Sequence, residues 1–233
     1  MNGILTVARK EAGLILRSRQ LMASALLVTV VFSGTAAPAV LGSVAEGGAS
    51  IDPVIFMVIT VTGIFMSYLF SGQVFMREKT EGTIETLLCT PLSLREIWTG
   101  KVAGVTVPAY FLTLVGAGVI SGVASAIRGE IILPSAPAAL HVLVVVPAFI
   151  AVTVGLLGFV QLLLGMRENQ IINMAIIFGV IFSFSLSTGL AGDGFIVTWG
   201  TEGVMLAVAA ALLLAVGWAT RFLNRERIVT TIP

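Results

Sequence analysis

The residues best spaced to do chemistry lie between Arg77 and Lys101, in the run REKTEGTIETLLCTPLSLREIWTGK. Glu78, Glu81 and Glu85 fall at i, i+3 and i+7, which on one helix makes an acidic stripe beside an apolar stripe of Ile84, Leu87 and Leu88. The chemistry such stripes offer is docking: carboxylates meet cations while leucines exclude water. From periodicity alone, docking on a protein and resting on lipid stay equally open. Pro91 ends this helix. Ser93-Leu94-Arg95-Glu96 then reads as a capping box, with Leu92 and Ile97 as a hydrophobic staple, so a new helix starts near Leu94. Trp98 and Lys101 fit a headgroup zone as anchors. A short helix clamped in this way passes a displacement to the helices it joins, where a floppy linker does not.

Little else in the chain offers reaction chemistry. Cys89 is the only cysteine, which rules out a disulfide framework, a CxxC pair and a cysteine-built zinc site within one chain. His141 is the only histidine, so it has no second imidazole for a metal or haem pair, and it reads as an interfacial residue at the outer end of a span. No G-x-x-x-x-G-K-[ST] phosphate loop occurs, because Gly100-Lys101 is followed by Val102 and lacks the leading glycine. The expectation is therefore a chain that is not an enzyme and binds no cofactor of its own. No basic stripe interleaved with aromatics suggests nucleic acid.

The elements that must position the 77–101 loop follow from composition. Of 233 residues, 57% are hydrophobic and 11% charged, with a mean hydropathy of +1.06, against about 45–50% apolar and about 25% charged in soluble domains. This predicts an all-α polytopic membrane protein, read as a single transmembrane domain over residues 1–233. Uncharged windows place six transmembrane helices at about residues 21–44, 53–76, 102–127, 140–165, 170–190 and 203–221. Pro134 and Pro137 delay the fourth to about Leu140. On this reading no carboxylate, lysine or arginine lies mid-membrane. The small-residue run GTAAPA at Gly34 to Ala39 resembles a signal cleavage site, but the long charged lead and the length of the apolar window argue for a retained anchor.

Twelve of the 13 cations fall on one side of these spans and only Arg128 on the other, which by positive-inside bias puts both termini in the cytoplasm. Residues 1–19 form an interfacial amphipathic helix: Ile4, Val7, Ala8, Leu14 and Ile15 make the apolar stripe, and Thr6, Lys10, Gly13 and Arg17 the other face. Glu11 interrupts the apolar stripe. A carboxylate there either turns toward another part of the protein or pairs locally in headgroup water.

The run from Arg77 to Lys101 resembles the signature loop of ABC-2 type transporter permeases: a charged triplet, Gly82-Thr83, Glu85 with Leu87-Leu88, Pro91-Leu92-Ser93, Glu96-Ile97 and Gly100-Lys101. Ala8-Arg9-Lys10-Glu11 followed by Arg17-Ser18-Arg19 is similar to that family's opening. What the resemblance implies is the transmembrane subunit of an ATP-binding-cassette exporter in the plasma membrane of a prokaryote. Two such permeases, most simply a homodimer, would work with two copies of a separate cytoplasmic ATPase that holds the ATP and Mg. It implies a cytoplasmic coupling helix at Gly82 to Cys89, between spans two and three, with Glu78, Glu81, Gly82, Thr83, Glu85, Leu87, Leu88 and Pro91 coupling to the ATPase. The interfacial helix, with Arg9, Lys10 and Glu11, would brace it. In related exporters the second and fifth spans line the route, which would make Phe65, Ser67, Phe70, Phe178 and Phe182 a path for an amphiphilic or lipophilic substrate. Within the same family a haem-exporter-like permease of cytochrome maturation is the nearest alternative, and an ion-coupled carrier or channel is the alternative outside it.

Overall fold

The computed structural model describes residues 3–38, 40, 41, 51–83, 90–163, 171, 174, 175, 177–179, 182 and 196–222. Among these the fold is helical and contains no strand. Helix α1 runs Gly3–Arg17 and α2 runs Arg19–Thr35, the two meeting at 78°. Ser18 makes the corner: its backbone is extended, and its hydroxyl accepts the Leu21 N–H at 3.4 Å, a long N-cap that starts α2 in a new direction.

Helix α3, Asp52–Ser71, begins with Pro53 in its first turn, where a missing N–H costs nothing. It continues through a π-helical turn, Gly72–Met76, into the short helix Arg77–Thr80. Gly82 then adopts φ 68°, a left-handed conformation that glycine enters without a Cβ clash, and it terminates the helix. Helix α4, Leu94–Arg128, is 35 residues long and holds Pro108 in its interior. At about 1.5 Å per residue it exceeds the ~30 Å hydrocarbon core, so one end projects. A helix then starts at Ala136, capped by Ser135, passes a π-helical turn at His141–Val145 and continues as α5, Val146–Leu163. Helix α6 is Trp199–Ala219.

Among the described residues four helices are long and apolar enough to cross a membrane, and a fifth is added if the bent α1–α2 pair counts as one span. The fifth expected span, 170–190, falls mostly outside the described residues. The fourth and sixth expected spans begin earlier than their expected starts near 140 and 203, at Ala136 and Trp199. Pro137 stands in the first turn after the Ser135 cap, where it starts a helix rather than breaking one. Thr198 and Thr201 cap α6 reciprocally, which draws Glu202 into its first turn.

Helix α4 is the hub, with α1, α2, α3 and α5 all packed on it. Small residues set the approach. Gly116 admits Thr29 and Ser33 of α2, and the Ser33 hydroxyl donates to the Gly116 carbonyl at 3.4 Å. Gly63 of α3 lies under Ile150 of α5, and Gly158 under the Phe75 ring. These seams give van der Waals contact where lipid offers no hydrophobic drive. They also bring the starts of α1 and α4 to the same end of the bundle as the C-terminal ends of α3, α5 and α6. Trp98 of α4 lies against Gly155 of α5, as does Val216 of α6.

Candidate functional site

Helix α1 meets α4 along Gly100 and Gly104, a Gly-x-x-x-Gly pair. A Cβ on Gly100 would lie 2.7 Å from Val7 Cβ, and one on Gly104 2.7 Å from the Ala8 carbonyl oxygen and 2.8 Å from Glu11 Cβ. The bare glycines let the two backbones approach. The seam buries Val7, Glu11 and Ile15, spaced at four residues. Ile4, Leu5, Leu14 and Leu16 point outward and are exposed. The apolar stripe expected from the sequence thus splits into a face on the protein and a face turned away, and Leu14 and Ile4 belong to the second.

Glu11 sits inside the seam because a partner waits there. The Lys101 ammonium, itself 1% exposed, lies 3.3 Å from Glu11 Oε1 and 2.6 Å from Glu78 Oε2, the latter as an ion pair outside hydrogen-bond geometry. It also donates to the Val74 carbonyl at 3.3 Å and stands 5.3 Å above the Phe75 ring. Both contacts come from the π-helical turn of α3 or its edge, the kind of widened turn that recurs at functional sites. Lys10 closes the group from the solvent side, 3.2 Å from Glu11 Oε1 and 3.3 Å from Glu78 Oε1. Two ammoniums and two carboxylates make the cluster neutral. Partial burial works against the charge of Lys10, but the neighbouring Glu11 and Glu78 carboxylates outweigh it and hold this ammonium above lysine's ordinary range.

Glu78 and Glu81 therefore diverge. Glu78 turns inward to the cluster, while Glu81 is exposed and accepts from Arg77 Nε at 2.7 Å. The left-handed conformation at Gly82 ends the helical stretch that carries Glu78 and Glu81. Both belong to the extension of α3. Glu85, Leu87 and Leu88 lie outside the described residues. Pro91 occupies the bend before the Ser93 cap, Thr83 stands on the other side of the gap, and Arg9 is exposed on α1. The capping box is as the sequence predicts: Glu96 N–H donates to Ser93 Oγ at 3.2 Å and Ser93 N–H to Glu96 Oε2 at 2.9 Å.

Beside the cluster is a cavity of about 260 Å³ lined by Lys10, Glu11, Leu14, Ser18, Gln73, Arg77, Glu78, Glu81 and Thr83, among others. None of Phe65, Ser67, Phe70, Phe178 and Phe182 lines it. Ser67 and Phe70 are buried, Ser67 donating to the Gly63 carbonyl at 2.8 Å, whereas Phe178 and Phe182 are exposed. Phe65 stacks on Phe32 at 5.3 Å.

Trp98 and Lys101, expected as headgroup anchors, are both buried: Trp98 packs against Gly155 of α5, and Lys101 lies between Glu11 of α1 and the π-helical turn that follows α3. His141, expected at the interface, is fully buried as well. Its Nδ1 lies 2.9 Å from Glu202 Oε2 and its Nε2 2.7 Å from Thr60 Oγ1. The expected span at about 203–221 stops just short of Glu202, which the structure holds inside α6. Capping by Thr198 is the local signal that draws it into the helix. Among the described residues no group of three or more His, Cys, Asp or Glu is arranged to hold a metal. The chain has no match among known protein families or curated proteins.

Proposed function

We propose that the chain is the permease subunit of an ABC-2 type exporter, moving an amphiphilic or lipophilic substrate with energy from ATP hydrolysed by a separate cytoplasmic subunit. The observation that carries this reading is the tie between Glu78 and Lys101 at 2.6 Å. These residues stand on the two stems of the 84–89 segment, one at the end of α3 and one near the start of α4, and Glu11 fixes α1 to the same point. A loop whose stems are locked together and braced by a third helix transmits a push on its tip into two spans at once. A lipid-resting loop has no need of such a clamp.

On this reading the tip, with Glu85, Leu87 and Leu88, seats on the ATPase, and the Lys10–Glu11–Glu78–Lys101 group is the brace behind it. Two permease copies, most simply identical, would work with two ATPase subunits, which bring the ATP and Mg. The membrane is the plasma membrane of a prokaryote, with both termini cytoplasmic. Co-purification with an ATP-binding-cassette ATPase, and stimulation of its hydrolysis by lipophilic compounds, tests the reading; full transport by the chain alone would remove it. Within it, Gly82→Pro and Glu85→Lys are expected to uncouple hydrolysis from transport while leaving membrane insertion intact. Proline cannot adopt the φ of 68° that ends the helix at Gly82.

A carrier driven by an ion gradient is the second reading, favoured by the buried His141–Glu202 pair, since ionisable groups inside spans serve such carriers. Transport that persists without ATPase but collapses with the proton gradient would select it.

A further inference from the structure

The second cluster of ionisable side chains lies at the end of the bundle opposite the brace. Thr60 of α3, His141 of the π-helical turn before α5 and Glu202 of α6 form one chain of contacts, and all three are buried, His141 and Glu202 completely. The Phe56 ring covers the imidazole at 4.1 Å between centroids. We propose that Thr60, His141 and Glu202 form a proton-binding latch: one proton beyond the neutral imidazole and the carboxylate is held there while the three helices are together, and its release loosens that end of the bundle.

The argument begins with charge. Glu202 Oε2 meets His141, and Glu202 Oε1 is buried with no hydrogen-bond partner among the described residues. No lysine or arginine pairs with it among the described residues. A carboxylate taken out of water this far is tolerated when it is neutralised, and among the described residues the neutralising agent at hand is a proton shared with the imidazole. The position of Glu202 in the first turn of α6 favours negative charge on it, which places that proton on the ring.

The hydroxyl of Thr60 points the same way. Its single hydrogen can go to the Phe56 carbonyl at 2.8 Å or to His141 Nε2 at 2.7 Å; in the latched state it goes to the carbonyl, which turns a lone pair toward an N–H on Nε2. With Nδ1–H donated to Glu202, both ring nitrogens carry hydrogen: an imidazolium between a carboxylate and a hydroxyl oxygen. The histidine opens a π-helical turn, whose Val146 N–H reaches back to the His141 carbonyl, and such widened turns recur where a side chain has a task. When the helices part and water enters, the ring gives its proton to water and leaves neutral imidazole beside ionised Glu202. Re-closing then buries a bare anion, so the closed arrangement is favoured at low pH and disfavoured at high pH.

The neighbouring ionisable groups do not supply this charge. Asp52, two turns from Thr60 on α3, accepts the Ser135 N–H at 3.0 Å. Tyr68 lies two turns beyond Thr60 in the other direction, and the stretch Ala136–Leu163 holds no ionisable side chain besides His141. Helix α6 holds no ionisable side chain besides Glu202, and Arg221 follows its far end in the 3-10 turn Thr220–Phe222. Arg128 and Glu130 stand at the turn that closes α4.

Because His141 is the only histidine in the chain, the ring nitrogen resonances of ¹⁵N-histidine-labelled protein report on this site alone. The expected result at neutral pH is a doubly protonated ring, converting to a neutral ring as pH rises, in step with a fall in the thermal unfolding midpoint. In Glu202→Gln the ring is expected to be neutral throughout and the His141-linked part of the pH dependence lost. A neutral ring accompanied by an infrared carboxylic-acid band that vanishes in Glu202→Gln still places the proton in the pair, and supports the latch. A neutral ring without that band, or an unfolding midpoint with the same pH dependence in both proteins, overturns it. If Glu202→Gln does not fold, the wild-type titration decides alone. The outcome does not depend on whether the chain works with an ATPase.

Discussion

At the scale of single residues, Lys101 is the one whose loss has the clearest consequence. Its ammonium pairs with Glu11, which is 2% exposed, and with Glu78, so Lys101→Met leaves two carboxylates that have lost most of their water with only the half-exposed Lys10 between them. Breaking a buried pair in this way costs about 3–5 kcal/mol. We expect Lys101→Met to lower stability by that order in detergent unfolding, and Glu11→Gln added to it to recover part of the loss. Equal losses in the single and double variants would show that the pair contributes nothing. The sequence exposes only half of this site. Glu11 stands out as the one charge in an apolar stripe, but its partner is 90 residues away, and a lysine at the edge of an apolar window looks the same whether it anchors in headgroups or sits under another helix. Glu202 and His141 are hidden for a related reason. Span limits drawn at charges push every charge outside, so a carboxylate that enters a helix behind a threonine cap is read as loop.

Elements follow local rules more faithfully. Ser93 and Glu96 declare the start of α4 through a capping box that needs only three residues of spacing, and it forms as expected. Ser93→Ala is expected to cost about 0.5–2 kcal/mol and to raise hydrogen exchange in the first turn, Leu94 to Ile97, while the middle of α4 is unaffected. The approach of α1 to α4 is less visible, since glycines are scattered through every span and only packing tells which are needed. Gly104→Ala is expected to push α1 off α4, because its new methyl would meet the Ala8 carbonyl at 2.7 Å, whereas at Gly118 and Gly122 of the same helix a Cβ meets nothing within 4 Å. Overpacking of this kind costs about 1–3 kcal/mol. Trypsin cleavage at Arg9 and Arg17 is the measurement: faster in Gly104→Ala and unchanged in Gly118→Ala or Gly122→Ala. Equal rates in all three would mean that the glycine seam does not hold α1.

For the whole molecule, the two ends of the bundle are chemically opposite. Arg9, Lys10, Arg17, Arg19, Arg77, Arg95, Lys101 and Arg221 gather at the end where α1 lies, and Asp52, Glu130, Glu202 and the histidine at the other, with Arg128 the one described cation there. Span assignment alone gives this polarity correctly, since it needs only the alternation of apolar windows and the sign of the charges between them. Which helices touch is not contained in that alternation. Packing decides it, through glycines and one buried lysine. The polarity makes a prediction about how the protein sits in a cell. On the proposed orientation, with the basic end in the cytoplasm by positive-inside bias, Cys89, the only thiol in the chain and set between the stems of the 77–101 loop, is expected to escape a membrane-impermeant maleimide in intact cells and to react in inverted vesicles. Ile131 follows the turn at the opposite end and is 86% exposed. In a Cys89→Ser background, Ile131→Cys is expected to show the reverse pattern. Labelling of both positions from the same face would contradict the two-ended bundle, and labelling of each from the face opposite to that expected would invert it, placing the brace outside the cell, where no nucleotide-driven subunit works.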